Sequence, residues 1–345
     1  MKVFIDEQVL NIRHTIRGIG VYTRNLVDAL KKQKDIVLVS DGRAADIIHY
    51  PYFDLFFSTL KVQGGEKTIV TIYDTIPLIY PQHYPSGIKG KLNFIRQKKA
   101  LQKIDAVVTI SETSKKDIVR FLDVPQEKIY TVYLAPGAIF RKVEGGKWKV
   151  EVAKRYALPE RFVLYVGDVN YNKNLSGLAQ ACVLAKLPLV IVGKQAATAE
   201  FDKQHLENRP FASFLEKYGG NSNIRRLGFV PDEDLVLIYN LATVYCQPSF
   251  YEGFGLPVLE AMACGCPVVA SRTQALVEIC GDSALFADPK DPRDIAVKIK
   301  TVSGNRKLAS SLGRSGIEKV KQFSWEKLAY ETTKVYTTIL KQNRH

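Results

Sequence analysis

The strongest constraint on the fold is a rhythm. Short runs rich in β-branched residues, at 2–6, 36–40, 46–50, 68–73, 106–111 and 129–134, alternate with amphipathic or basic stretches of helical character. Such short apolar runs suit strands covered on both faces, and strands separated by helices pair in parallel through crossovers. The rhythm breaks at Pro136-Gly137 and Gly145-Gly146, then restarts at 162–167, 189–193, 223–230, 244–248, 268–271 and 285–287. With 345 residues and 46% apolar content, the chain exceeds the usual span of one core and has material for two. The expectation is an α/β chain of two doubly wound parallel-sheet domains, 1–150 and 151–324, with the boundary inside 136–159 and placed near 150. Ligands of such sheets sit beyond the carboxyl ends of the strands, which makes the cleft between the domains the expected active site.

One loop carries most of the chemistry, Ser249-Phe-Tyr-Glu-Gly-Phe-Gly-Leu-Pro-Val-Leu-Glu260. Gly253 and Gly255 permit a tight turn and close approach to a ligand, and Pro257 suits the start of a helix, whose free amides attract anions. The segment reads as a site for a phosphorylated or sugar-bearing ligand, with Glu252 and Glu260 as its carboxylates. Taken alone, it also fits an ordinary turn followed by a helix with acidic residues near its start.

Other features narrow the class. Gly18-Ile-Gly20 lacks the third glycine of a dinucleotide fingerprint. Asp232-Glu233-Asp234 resembles a metal signature, but it follows Pro231 and opens an apolar helix, so N-terminal capping is expected and no obligatory metal. Cys182, Cys246, Cys264, Cys266 and Cys280 lack zinc spacing and read as reduced, cytosolic thiols. None of the histidines has ligand spacing; His49, before Pro51, reads as a strand-end residue near the acceptor cleft. The opening Met-Lys-Val-Phe-Ile-Asp reads as a first strand rather than a signal peptide, and no window reaches the roughly 18 apolar residues of a spanning helix. A net charge of +14 suits a phosphorylated substrate, an anionic membrane, nucleic acid or nothing beyond solubility. The segment 87–103 holds six basic and no acidic residues interleaved with Ile88, Leu92, Ile95 and Leu101, which fits both a basic amphipathic helix that meets anionic lipid and a merely solvated helix face.

The motifs at 17–25, 71–77, 109–115, 165–174 and 252–260, with Gly228-Phe-Val-Pro-Asp-Glu-Asp-Leu235, Gln247-Pro-Ser249 and Cys264-Gly-Cys-Pro-Val-Val-Ala-Ser271, occur in one order along nearly the whole chain. Together they resemble retaining glycosyltransferases of family 4, also called glycosyl transferases group 1. The resemblance implies the GT-B fold, two facing Rossmann-like domains, with the acceptor on the first and a nucleotide-diphosphate sugar on the second. It also implies that the last helix, within 325–345, crosses back to the first domain; Ser324 is its expected N-cap, and Trp325, Leu328, Thr332, Val335 and Ile339 its buried face.

By the same resemblance Glu260 holds the ribose hydroxyls and Glu252 a hydroxyl of the transferred sugar. Gly253, Phe254, Gly255 and Leu256 present amides, Val230 lines the base, and Lys173, after Gly167, offsets charge on the leaving diphosphate. Ser249 belongs to the same donor site, and Gly18 and Gly20 lie against the donor. The arginine that often accompanies the lysine is missing, its places taken by Asp168 and Asn172, so Arg13 and Arg17 are the expected second phosphate clamp. Tyr73-Asp74 stands where the family has His-Asp, a weaker base at the anomeric centre. Without a placed nucleophile, retention implies front-face attack assisted by the leaving phosphate.

The resulting expectation is a cytoplasmic, peripherally membrane-associated hexosyltransferase acting on a glycan or lipid-linked saccharide in cell-surface polysaccharide or lipopolysaccharide assembly. A GT-B-type nucleotide-sugar epimerase and a basic nucleic-acid-binding protein are the alternatives. No zinc module or aromatic RNA signature supports the latter, and no nucleic-acid partner is expected.

Overall fold

The computed structural model describes residues 1–8, 18–60, 66–198 and 200–342. Each of the twelve apolar runs forms a strand. They are β1 Lys2–Ile5, β2 Val37–Leu38, β3 Ile47–Tyr50, β4 Lys67–Ile72, β5 Ala106–Thr109 and β6 Ile129–Thr131, then β7 Val163–Val166, β8 Leu189–Val192, β9 Ile224–Gly228, β10 Val244–Gln247, β11 Val268–Ser271 and β12 Leu285–Ala287. Several are shorter than their runs because flanking residues such as Tyr73 and Pro248 lead into loops. That shortening matters for function, since the loops at strand ends carry the expected site.

The chain divides into two compact units. The first comprises Met1–Pro81, Pro85–Ala135 and Phe323–His345. Its parallel sheet runs β2-β1-β3-β4-β5-β6, a flavodoxin-like order that reverses direction between β1 and β3. Ile48, Val70, Val107, Ile118 and Leu122 fill the core beneath the sheet. Helix Trp325–Lys341 belongs to this unit. The Ser324 hydroxyl caps it by accepting the Lys327 N–H at 3.1 Å. Leu328, Thr332, Val335, Tyr336 and Ile339 are buried, while Trp325 is half-buried, its ring 6.2 Å from that of Tyr22 on helix Gly18–Leu30.

A polar network runs beneath this helix. His49, fully buried at the end of β3, lies 2.6 Å through Nδ1 from the Tyr336 hydroxyl and 2.8 Å through Nε2 from the Thr71 hydroxyl. Burial lowers the imidazole pKa to about 3, so the ring is neutral in the folded chain.

The second unit comprises Gln82–Tyr84 and Pro136–Gln322. Its parallel sheet runs β12-β11-β10-β7-β8-β9; counted from β7 this is the dinucleotide-binding order 3-2-1-4-5-6, with its reversal between β7 and β10. The division falls at Ala135/Pro136 rather than near 150. Side chains hold the intervening segment: Asn240 Oδ1 accepts the Val143 N–H at 2.9 Å, Asn240 Nδ2 donates to the Arg141 carbonyl at 3.0 Å, and the Phe140 ring meets Tyr239. Contacts of this kind leave no periodic trace in the segment itself.

The expected capping by Asp232-Glu233-Asp234 is corrected. Pro231 occupies the cap of helix Asp232–Leu241 with no side-chain hydrogen bond, and the three acids fill its first turn, where the dipole favours them. Asp234 instead accepts the Tyr156 hydroxyl at 2.6 Å and Arg155 at 2.9 Å, which hold its carboxyl below the usual range.

Candidate active site

Two loops leave adjacent strands at the reversal point of the second sheet. The first follows β7: Gly167 adopts φ 151°, Tyr171–Lys173 form a single 3-10 turn, and Asn174 takes a left-handed conformation. Asn174 is pinned there because its Nδ2 donates to the carbonyls of Pro248 at 3.0 Å and Pro289 at 2.7 Å. The second loop follows β10 and ends in helix Leu256–Ala263, with Pro257 in the first turn. Gly255, at φ 128°, makes the bend into that helix, a conformation that favours glycine.

Asn172 stitches the loops together. Its carbonyl accepts the Phe250 N–H at 2.7 Å and its Nδ2 donates to the Tyr251 carbonyl at 3.0 Å, while Oδ1 accepts the Tyr84 hydroxyl at 2.6 Å. This residue, read from the sequence as a lost arginine, therefore does backbone work instead.

The stitching sets Lys173 against Glu252. The ammonium donates to both carboxylate oxygens, at 2.9 and 2.8 Å. Glu252 is buried, and its Oε1 also accepts from Gln247 Nε2 at 2.9 Å and the Ser249 hydroxyl at 2.6 Å. Gln247 is in turn held by the buried Tyr245 hydroxyl, which donates to its Oε1. A buried carboxylate with a cation and two neutral donors is fully compensated and rigidly placed.

Sequence reading missed Gln247 as a separate contributor. The signal was present, because a buried amide closes the otherwise apolar strand β10, and Tyr245 and Gln247 share a face at the strand period of two.

Glu260 lies one turn into helix Leu256–Ala263 and is half-buried. Its Oε2 accepts the Tyr239 hydroxyl at 2.9 Å, while Oε1 has no hydrogen-bond partner among the described residues. Burial lifts its pKa to about 7 against the lowering effect of Tyr239, with Asp232 raising it further. Val230 is buried between β9 and helix Asp232–Leu241, Gly253 and Phe254 are buried in the loop, and Leu256 opens the following helix.

The remaining expected site residues fall in the first unit. Gly18 and Gly20 form the first turn of helix Gly18–Leu30 rather than a free loop, and Gly20 is buried. Arg13 and Arg17 lie outside the described residues. The Tyr73 hydroxyl donates to the Pro51 carbonyl at 2.8 Å, and burial pushes its pKa well above the ordinary value, so this phenol is a poor base. Asp74 Oδ1 accepts the Ile76 N–H at 3.0 Å, which turns the chain out of β4.

Comparison with known proteins gives this geometry a context. Residues 148–319 match the family described as glycosyl transferases group 1, and residues 38–135 match glycosyltransferase family 4. The chain is 31% identical over 280 residues to O-antigen chain mannosyltransferase B of Escherichia coli, covering 79% of this chain and 70% of that protein. It is 25% identical over 280 residues to the serotype-specific mannosyltransferase WbdA of Escherichia coli, covering 81% of this chain but 34% of WbdA. The chain therefore spans only about a third of the latter enzyme's length. Among solved structures, Anabaena HepE in complex with UDP and glucose shares the fold, with a TM-score of 0.71 at 15% identity over 98% of this chain and 99% of that one. Two six-stranded parallel sheets flanked by helices, matched along both halves by these families, make the chain a GT-B member of the family 4, group 1 glycosyltransferases.

Proposed function

We propose that the protein is a retaining hexosyltransferase that moves a sugar from a nucleotide-diphosphate donor to a glycan or lipid-linked saccharide, in cell-surface polysaccharide or lipopolysaccharide assembly. Mannose is the first choice of sugar, because the relatives named above are mannosyltransferases. The observation that carries the reading is the Lys173–Glu252 pair at the reversal point of the second sheet, with helix Leu256–Ala263 opening beside it. Lys173 offsets charge on the leaving diphosphate, and the amides of 253–256 contact phosphate and sugar. Glu252 orients a sugar hydroxyl and Glu260 holds the ribose through its unengaged Oε1. Membership of a transferase family leaves the epimerase reading without support.

Retention follows a front-face course in this reading. Three donors already occupy Glu252, which makes it a poor nucleophile. The leaving phosphate oxygen takes the proton of the incoming hydroxyl while Lys173 stabilises the departing charge. The first unit takes the reacting end of the acceptor, Arg13 and Arg17 are the proposed second phosphate clamp, and no metal is required. The protein works in the cytoplasm at the inner membrane face, through helix Gly87–Leu101.

The test is a thermal-shift and hydrolysis screen across uridine-, guanosine- and deoxythymidine-diphosphate sugars. One donor is expected to stabilise the wild type, Glu260→Ala to weaken its binding, and Lys173→Ala to cut turnover by roughly 10²–10³. A wild type that responds to no nucleotide sugar, or variants that respond like it, would remove the assignment.

A further inference from the structure

A cavity of about 470 Å³ opens in the second unit on the turn that carries Lys173, and its wall does not include Lys173, Glu252 or Glu260. Its aromatic side is built from three rings: His83 stacks on Tyr171 with centroids 3.4 Å apart and planes at 12°, and Tyr171 lies 5.3 Å from Phe250. Its other lining groups include Gln82, Arg209 and Ser213. The side chains of these three make no hydrogen bond or ion pair with any described residue, although each presents several donors or acceptors.

That combination is selective. Aromatic walls take an apolar face, while an amide, a guanidinium and a hydroxyl take ring hydroxyls, and the volume lies within the range of small-ligand sites. A pyranose offers both an apolar C–H face and an equatorial rim of hydroxyls. A nucleobase would stack equally well, but the proposed base and ribose contacts, Val230 and Glu260, lie outside this cavity.

We infer that the cavity lined by His83, Tyr171, Phe250, Gln82 and Arg209 binds sugar residues of the acceptor glycan, as a saccharide subsite separate from the donor pocket. The inference rests on the glycosyltransferase reading with a glycan acceptor. Because the subsite and Lys173 share the turn 171–173, a glycan seated here is held one loop away from the ion pair, and the subsite selects extended acceptors over single sugars.

The experiment measures saturation-transfer NMR and calorimetry with a panel of manno-, gluco- and galacto-trisaccharides, alongside nucleotide-diphosphate thermal shifts on the same samples. At least one trisaccharide is expected to bind the wild type, and Arg209→Ala and Ser213→Trp are each expected to weaken it at least tenfold while the nucleotide shift stays unchanged. Both positions are exposed, and the unchanged nucleotide shift reports an intact fold. The inference is overturned if no trisaccharide binds, or if both variants bind it as the wild type does. Loss of the nucleotide response in the wild type strikes the transferase reading instead, which separates the two failures.

Discussion

At Glu260, burial and ligand binding pull in opposite directions. Its pKa of about 7 exceeds the ordinary value of 4.5, so between those values the folded chain holds a proton that the unfolded chain releases. The stability this contributes is complete below pH 4.5 and is lost as pH rises through 7. Glu260→Gln, which keeps an acceptor for Tyr239, should therefore raise the Tm at pH 8 and leave it nearly unchanged at pH 4.5, as scanning calorimetry can show. If ribose hydroxyls donate to the ionised form, nucleotide affinity in the wild type rises with pH up to just above 7 and is flat in the variant; calorimetric titration from pH 5.5 to 8 checks this. Gly255→Ala is expected to cost about 1–2 kcal/mol in a urea titration. The bend at φ 128° and the added methyl both contribute, since the methyl would lie 2.7 Å from Leu276 Cδ2 and 2.9 Å from Ile279 Cδ1, both on fully buried side chains. Gly253, Gly255 and the two carboxylates stood out because their types and spacing suggest a ligand loop, whereas Lys173 was singled out only through the family resemblance. Tyr239 and Asn172 were not legible, because a buried tyrosine and a loop asparagine acquire their roles only from what lies opposite.

At the level of elements, the closing helix shows how far periodicity reaches. Its cap and most of its buried stripe follow from spacing, but its partner does not. The Tyr336–His49 contact joins residues 287 positions apart, and no pattern in either segment announces it. His49 lies at a strand end as read, and its ring is sealed within the first unit. Tyr336→Phe should cost about 1–3 kcal/mol, because a buried imidazole nitrogen loses its partner, while Tyr330→Phe on the exposed face should cost nothing measurable; urea midpoints compare them. The same ring makes this unit acid-sensitive. His49 stays neutral down to about pH 3 when folded but takes up a proton near 6.5 when unfolded, so stability falls as pH drops across that window. His49→Gln is expected to flatten the dependence of the urea midpoint between pH 6.5 and 3.

For the whole molecule, the net charge of +14 becomes informative only when its position is known. Helix Gly87–Leu101 buries Gly90, Gln97 and Leu101, with Gln97 donating to the Asp54 carbonyl at 3.1 Å. Ile88, Leu92 and Ile95 are left 82%, 52% and 53% exposed, beside Lys89, Lys91, Arg96 and Lys99, and Phe57 is 70% exposed. No helix among the described residues is long and apolar enough to cross a membrane, so a surface contact is the form of membrane binding proposed. Sedimentation with anionic vesicles should show binding that falls at least tenfold in the triple variant Ile88→Ser, Leu92→Ser, Ile95→Ser and weakens with salt. A wild type that prefers anionic over neutral vesicles no more than the variant does would end the membrane reading.

Strand identity, the parallel α/β class and the doubling of the domain were all readable from local order, because strand and helix periods are imposed residue by residue. Strand order, the different reversal points of the two sheets, the division at Ala135/Pro136 and the pairing of Lys173 with Glu252 were not. Each depends on groups far apart in the chain, 79 positions in the case of the ion pair, whose attraction acts only after burial brings them within hydrogen-bonding reach.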